Sequence, residues 1–190
     1  LARRAGVELK REDPKLRSER ARLYQLVEEA AKIFESALHS SKTPERVSAP
    51  LAYIKQRGLE DEIIKTFRIG YAPDSWDFLI KIMRQKGYKM EEIEKAGLAV
   101  KSEQGSHYAR FRNRITFPVS DASGRVVGFS GRILDADPRP IRAADPHRSV
   151  STQPSQEPAK YINTPPTFIY DKSRVLYGFD KAKEERRKQT

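Results

Sequence analysis

Apolar positions in the first part of the chain recur every three or four residues. Leu23, Leu26, Val27, Ala30, Ile33, Phe34, Ala37 and Leu38 fall on one stripe of a long helix. The pattern starts it near Leu16, and Ser40 to Pro44 ends it. A second helix starts near Ser48, contains Leu51, Tyr53 and Ile54, and stops at Gly58. A short helix over Glu60–Thr66 places acids in its first turn, where the helix dipole favours them. Phe67–Tyr71 reads as a short strand. Ser75 or Asp74 caps a helix reaching Lys86 and closed by Gly87, and Met90–Lys95 is another, closed by Gly97.

After Gly97 the period shortens to two. Leu98–Lys101, Tyr108–Val119 and Val126–Leu134 read as strands, with turns at Glu103-Gln104-Gly105 and Asp121-Ala122-Ser123-Gly124. This order, helices first and then a β-meander, predicts an α+β fold: a helical N-terminal half followed by a small, mostly antiparallel sheet. Asp135–Pro158 holds 5 of the 12 prolines and no aromatic residue, which reads as a mobile insertion. Structure resumes at Lys160. Val175–Tyr177 is a strand candidate, and a charged helix runs from Phe179.

Within the period-two region, Arg110 to Pro118 (RFRNRITFP) changes the picture most. A continuous strand here puts Arg110, Arg112 and Arg114 on one face, neighbours about 6.6–6.8 Å apart. Phe111, Asn113, Ile115 and Phe117 take the other face. Like charges in a row repel, so folding alone gives no reason to align them. Two readings stand: pairing with acids on a neighbouring element, or a face for a polyanion.

Charge favours the second. Lys plus Arg number 37 against 26 Asp plus Glu, a formal net charge of +11, and such a balance suits nucleic acid or another anionic partner. Cysteine is absent, which excludes disulfides and thiolate zinc sites within these residues. No apolar run approaches the ~18–20 residues that span a bilayer, so a soluble cytoplasmic protein is the expectation. His39, His107 and His147 lack metal-ligand spacing, and there is no Walker loop or GxGxxG. The one DxD, Asp135-Ala136-Asp137, opens the proline-rich segment and reads as loop; metal catalysis needs rigid, preorganised carboxylates.

Four further places carry candidate chemistry. Gly128-Phe129-Ser130-Gly131-Arg132 puts two glycines in a strand, which marks either a bend for packing or a ligand's close approach to the backbone. Lys160-Tyr161-Ile162-Asn163 sets a cation, a ring and a carboxamide in four residues of extended chain. That mixture suits single-stranded nucleic acid, and also an ordinary loop re-entry. Arg57 sits in the last turn of the second helix, where a cation also serves as a cap. Trp76, the only tryptophan, reads as core or as a stacking platform.

Together these pieces resemble bacterial DnaG-type DNA primase, the enzyme that synthesises RNA primers for replication. The resemblance rests on Arg57-Gly58-Leu59, Phe67 to Pro73 (FRIGYAP), Trp76-Asp77, RFRNRITFP, Gly124 to Arg132 (GRVVGFSGR), Lys160 to Pro165 (KYINTP) and Leu176-Tyr177-Gly178, in order across Leu23–Ala182. It implies the N-terminal subdomain of the RNA polymerase core at 16–190, with 1–15 as the tail of a linker from a zinc-binding region. A TOPRIM subdomain is expected after Thr190. The resemblance implies no cofactor in these residues, Mg²⁺ (or Mn²⁺) in the TOPRIM subdomain and Zn²⁺ in the upstream region. It implies that Arg57, Arg132, Lys160, Tyr161 and Asn163 line a basic groove for single-stranded DNA template; Arg112 and Arg114 belong to the same motif set, and Trp76 is a further template contact. RNA primer and NTPs, a replicative helicase and single-strand-binding protein are the other implied partners, with no membrane. The whole protein is expected to be a nucleotidyltransferase, a DNA-directed RNA polymerase, and residues 1–190 alone to be inactive. Two positions depart from the family pattern: Pro166 stands where Glu is usual, and Ser173 alters a glycine-rich step. The alternatives are a non-catalytic single-strand-binding module of a primase- or helicase-like protein, and an interaction domain for an acidic partner.

Overall fold

The computed structural model describes residues 13–39, 44–134 and 159–188. The expected linker tail, but for its last residues, and the whole expected insertion at 135–158 lie outside the described residues. Twelve elements follow in order: α1 (Pro14–His39), α2 (Pro44–Gln56), α3 (Asp61–Thr66), β1 (Gly70–Ala72), α4 (Phe78–Gln85), α5 (Met90–Lys95), β2 (Ala99–Lys101), β3 (His107–Ala109), β4 (Arg114–Ser120), β5 (Val126–Ile133), β6 (Tyr161–Asn163) and α6 (Phe179–Lys188).

The α+β expectation holds. The apolar stripe of α1 is the centre of the fold: Leu23, Leu26, Val27, Ala30, Phe34 and Leu38 are buried. Burying each large side chain there is worth about 1.5–3 kcal/mol. Phe34 meets Phe111 and Phe129 edge to face, with centroids at 6.4 and 5.4 Å, an arrangement aromatic rings prefer. Gly70 lies against α1 so closely that a Cβ there would stand 2.6 Å from the Phe34 carbonyl carbon. Only glycine permits that contact.

β1, β4, β5 and β6 form one antiparallel sheet in that spatial order, and β2 and β3 form a separate hairpin. Register assigns the two faces. Gly70, Thr116, Gly131 and Ile162 form a row on the α1 side, while Tyr71, Ile115, Arg132 and Tyr161 form the adjacent row on the opposite side. On that opposite side, Ile54 of α2 and Ile64 of α3 join Tyr71 and Ile115 in a second apolar cluster. The helices thus cover the β1–β4 half of this face. The β5–β6 half carries Arg132, Tyr161, Ser130 and Asn163.

Several expected elements are corrected. Tyr108–Val119 is not one strand: β3 ends at Ala109 and β4 begins at Arg114. Asn113 between them has φ +47°, a left-handed conformation that breaks a ladder and that Asn tolerates better than most residues. The strands do not form a single meander, because β1 inserts beside β4 and the 99–109 hairpin stands apart. Phe67–Tyr71 becomes β1 at Gly70–Ala72, because Arg68 takes φ +53° just before it. Val175–Tyr177 is not a strand; Val175 and Leu176 are irregular, and a turn follows at Tyr177 and Gly178. α2 starts at Pro44, earlier than Ser48, and Ser75 Oγ accepts from the Phe78 amide at 3.2 Å, at the start of α4.

Candidate nucleic-acid interface

The site grows from two neighbouring strands and one helix end. Arg132 on β5 pairs in register with Tyr161 on β6. Its guanidinium donates to the Tyr161 hydroxyl at 2.9 Å and stands 5.5 Å from that ring's centroid. From the other side comes Tyr53 of α2, whose ring centroid is 5.6 Å from the Arg132 guanidinium. Arg57 follows Tyr53 by four residues, one helical turn on, and its guanidinium lies 5.2 Å from the same ring. Lys160 and Asn163 flank Tyr161 and are exposed. The structure therefore gathers Arg57, Arg132 and Tyr161, with Lys160 and Asn163 beside them, on the half of the sheet that the helices leave uncovered.

Arg112 and Trp76 form a different group. The Arg112 guanidinium lies 3.0 Å from the Trp76 ring centroid and 5.6 Å from that of Tyr108. The two rings meet edge to face at 5.5 Å, and the Ala109 amide donates to the Trp76 carbonyl at 2.7 Å. A cation over an aromatic face is a stable surface feature, and all three residues are half-buried.

Arg114 belongs to neither. It is 7 % exposed, and it donates to the carbonyls of Gly131, Lys160 and Ala159 at 3.1, 3.3 and 2.9 Å. Burial first, and then the charge of Arg112, pull its pKa below the usual arginine value. The expectation that Arg110, Arg112 and Arg114 share one exposed face is thereby corrected. The turn at Asn113 puts Arg112 on Trp76 and drives Arg114 inward as a tie between β5 and the start of β6. Three of the five guanidinium N–H donors of Arg114 are thereby spent on backbone carbonyls. Arg110, not among the candidate residues, is half-buried; burial lowers its pKa too.

The glycine motif and the Asn-Thr-Pro motif turn out to explain each other. Thr164 is buried; its hydroxyl accepts from the Phe129 amide at 2.8 Å, and its own amide donates to the Phe129 carbonyl at 2.9 Å. A Cβ on Gly128 would stand 3.0 Å from the Thr164 Cβ, and one on Gly131 would stand 2.7 Å from the Phe111 ring. These glycines let β6 and the aromatic core close on β5; they do not bare backbone for a ligand. Their work fixes Tyr161 and Asn163 in place. Sequence reasoning passed over Tyr53 and Tyr108 as site residues. For Tyr53 a signal existed, its four-residue spacing from Arg57 on a helix.

Among the described residues no group of three or more His, Cys, Asp or Glu could hold a metal ion, and no helix is long and apolar enough to cross a membrane.

The family model for the N-terminal domain of the DNA primase catalytic core matches residues 33–183. A DNA primase of Deinococcus radiodurans is 43% identical over 134 residues, covering 70% of this chain and 20% of that protein. The RNA polymerase domain of Mycobacterium tuberculosis primase DnaG superposes with a TM-score of 0.70 at 32% identity, covering 89% of this chain and 48% of that one. A DnaG primase catalytic domain bound to single-stranded DNA superposes with a TM-score of 0.68 at 31% identity, covering 88% and 45%. The chain thus spans about a fifth to a quarter of the length of the curated relatives it matches.

Proposed function

The chain belongs to the family of the DNA primase catalytic core, N-terminal domain, and from that premise we propose that it holds single-stranded DNA template for primer synthesis by a whole DNA primase. The observation that carries this is the convergence of Arg57, Arg132 and Tyr161, flanked by Lys160 and Asn163, on the uncovered half of the sheet. Arg57, Arg132 and Lys160 neutralise successive phosphates. Tyr161, half exposed, offers a ring for a base, and Asn163, on the same face two residues along, offers an amide to a base edge or sugar. The Arg112–Trp76 pair is a second, sequence-independent contact on the same strand of template. Arg114 shapes the groove and stays out of it. The similarity to a primase catalytic domain bound to single-stranded DNA supports the reading.

In the whole protein the reaction would be nucleotidyl transfer, joining a ribonucleotide 3′-hydroxyl to the α-phosphate of the next NTP, in the cytoplasm at a replication fork. The metals of that step, Mg²⁺ or Mn²⁺, would come from a TOPRIM subdomain and Zn²⁺ from a zinc-binding region. RNA primer, NTPs, a replicative helicase and single-strand-binding protein complete the proposed partners. Within this scheme the chain's own residues position template, and positioning is a large part of such catalysis.

Titration of single-stranded DNA against salt tests the groove. Three phosphate contacts give a log K against log salt slope of about −2. A slope near zero, or binding to an acidic protein partner in place of DNA, would sink the proposal.

A further inference from the structure

β6 is three residues long, Tyr161–Asn163, and among the described residues it pairs on one side only, with β5. So short an edge strand has few ladder bonds to fix it. Yet it carries Tyr161 and Asn163, with Lys160 immediately before it. Its two ends are tied by different means. At the far end, Thr164 exchanges two hydrogen bonds with the main chain of Phe129. At the near end stands Arg114. Its Nη2 donates to the Ala159 carbonyl at 2.9 Å and its Nη1 to the Lys160 carbonyl at 3.3 Å. The Ile133 amide donates to that same Lys160 carbonyl at 3.0 Å. These carbonyls belong to the peptide groups before and after Lys160, so one guanidinium holds both sides of that residue's backbone. Arg114 reaches them along the α1 side of the sheet. It lies two residues before Thr116 on β4, hence on the same face, and a Cβ on Gly131 would stand 3.2 Å from its Cδ. Arg132 and Tyr161 lie on the opposite face. The fork grips the strand from behind the groove.

We infer that Arg114 is a positioning residue for the template site: it sets the backbone of Lys160 from the reverse side of the sheet, and so sets where the Lys160 side chain and the Tyr161 ring begin, without itself contacting template. The inference rests on the proposed template groove. A planar fork suits this task, because its two terminal nitrogens reach two carbonyls at once; a lysine ammonium is a single point donor and holds one peptide group. Gly131 is the other half of the device, since a side chain there would meet both the Arg114 stem and the Phe111 ring.

The test uses the 190-residue chain with Arg114→Lys, Lys160→Ala and the two substitutions combined. Each single variant should weaken binding of a short single-stranded DNA about 3- to 10-fold. The double variant should bind within about 2-fold of the weaker single variant, because both changes remove the same contact. Losses that multiply overturn the inference. So does parent-like binding by Arg114→Lys, which keeps the charge and loses the fork. Amide hydrogen exchange provides a readout that a general loss of stability does not give. In Arg114→Lys the Ile133 amide should quicken about 10-fold more than the amides of α1, and an equal rise in both overturns the inference. If Arg114→Lys fails to fold, the parent chain still decides. On adding single-stranded DNA, the NMR signals of the Arg114 guanidinium should stay in place while those of the Lys160 ammonium move; Arg114 signals that move with them overturn the inference. Parent-like binding by Lys160→Ala condemns the groove reading on which the inference stands.

Discussion

Two arginines on opposite sides of this domain are held by opposite means. Arg68, just before β1, donates to both oxygens of Glu28 at 2.9 Å and to Glu35 at 3.1 Å. Hydrogen bonds to Glu28, opposed by burial and joined by those to Glu35, hold the pKa of its guanidinium above the ordinary arginine value. Its charge is spent inside the protein, fastening α1 to the β1 side of the sheet. Arg132, across the sheet on β5, rests between the rings of Tyr53 and Tyr161. A ring attracts a cation through its π-face. The difference separates an arginine ion-paired to a helix from one set against two rings, for which we propose a template contact, and Arg114, bonded to three carbonyls, sides with the first.

The largest effect that could break this comparison is at Arg114. Arg114→Ala should lower stability by about 3 kcal/mol, because it strands buried carbonyls that it now satisfies. Urea unfolding measures this. A variant as stable as the parent but unable to bind single-stranded DNA would set Arg114 beside Arg132.

Arg68 comes next. Arg68→Ala should cost about 2 kcal/mol, since it loses ion pairs that are partly shielded from solvent and keeps a strained backbone. Arg68→Gly loses the same pairs but adopts φ +53° freely, so it should be more stable than the alanine variant by about 1 kcal/mol. Thermal melts of the two decide. The reverse order would show that backbone strain at this position is not what the ion pairs hold down.

Arg132→Ala should do the opposite of both. Its stability should stay within about 1 kcal/mol of the parent, while the salt slope of DNA binding becomes shallower by roughly 0.7. Lys160→Ala should match it in slope. A large stability loss without a slope change would place Arg132 beside Arg68.

The smallest effect sits at the β4–β5 turn, where Arg125 is another spent arginine. Burial works against the charged Asp121 carboxylate, but hydrogen bonds from Ser123 and Arg125 outweigh it, so its pKa lies below the ordinary value. A depressed carboxylate stabilises the fold fully above its unfolded pKa of about 3.9, and loses that contribution as pH falls through its lower folded value. Asp121→Asn should therefore lose about 1 kcal/mol at pH 7, with the gap closing in strong acid. A gap independent of pH would remove the charge from the account.

How much of this was legible in the sequence varies by element. The stripe from Leu23 to Leu38 declared α1 because a helix of that length samples its period many times. Met90–Lys95 was bounded by the same residues in both readings, since Gly97 follows with φ +71°. The members of the groove were legible by type and motif. Their grouping was not, because it depends on which half of a sheet face two helices cover, and that is a long-range fact. The arginine row was misread for a local reason: alternation of charge and apolarity mimicked a strand, and one residue on the supposed apolar side was Asn113. Thr164 and Pro165 looked like part of a ligand motif, and their packing against Gly128 and Gly97 is what the structure adds.

Asn113 sets the phase of everything after it. A strand assigns its side chains to two sides by odd and even count, and a left-handed residue resets that count. Before the reset Arg110 is half-buried and Arg112 lies on Trp76; after it, Arg114 is turned to the interior and its neighbour Ile115 to the second cluster. An insertion of one residue here would exchange the two channels, sending a guanidinium into the second apolar cluster and an isoleucine into the place of a buried charge. The domain can vary the chemistry of this segment far more freely than its length.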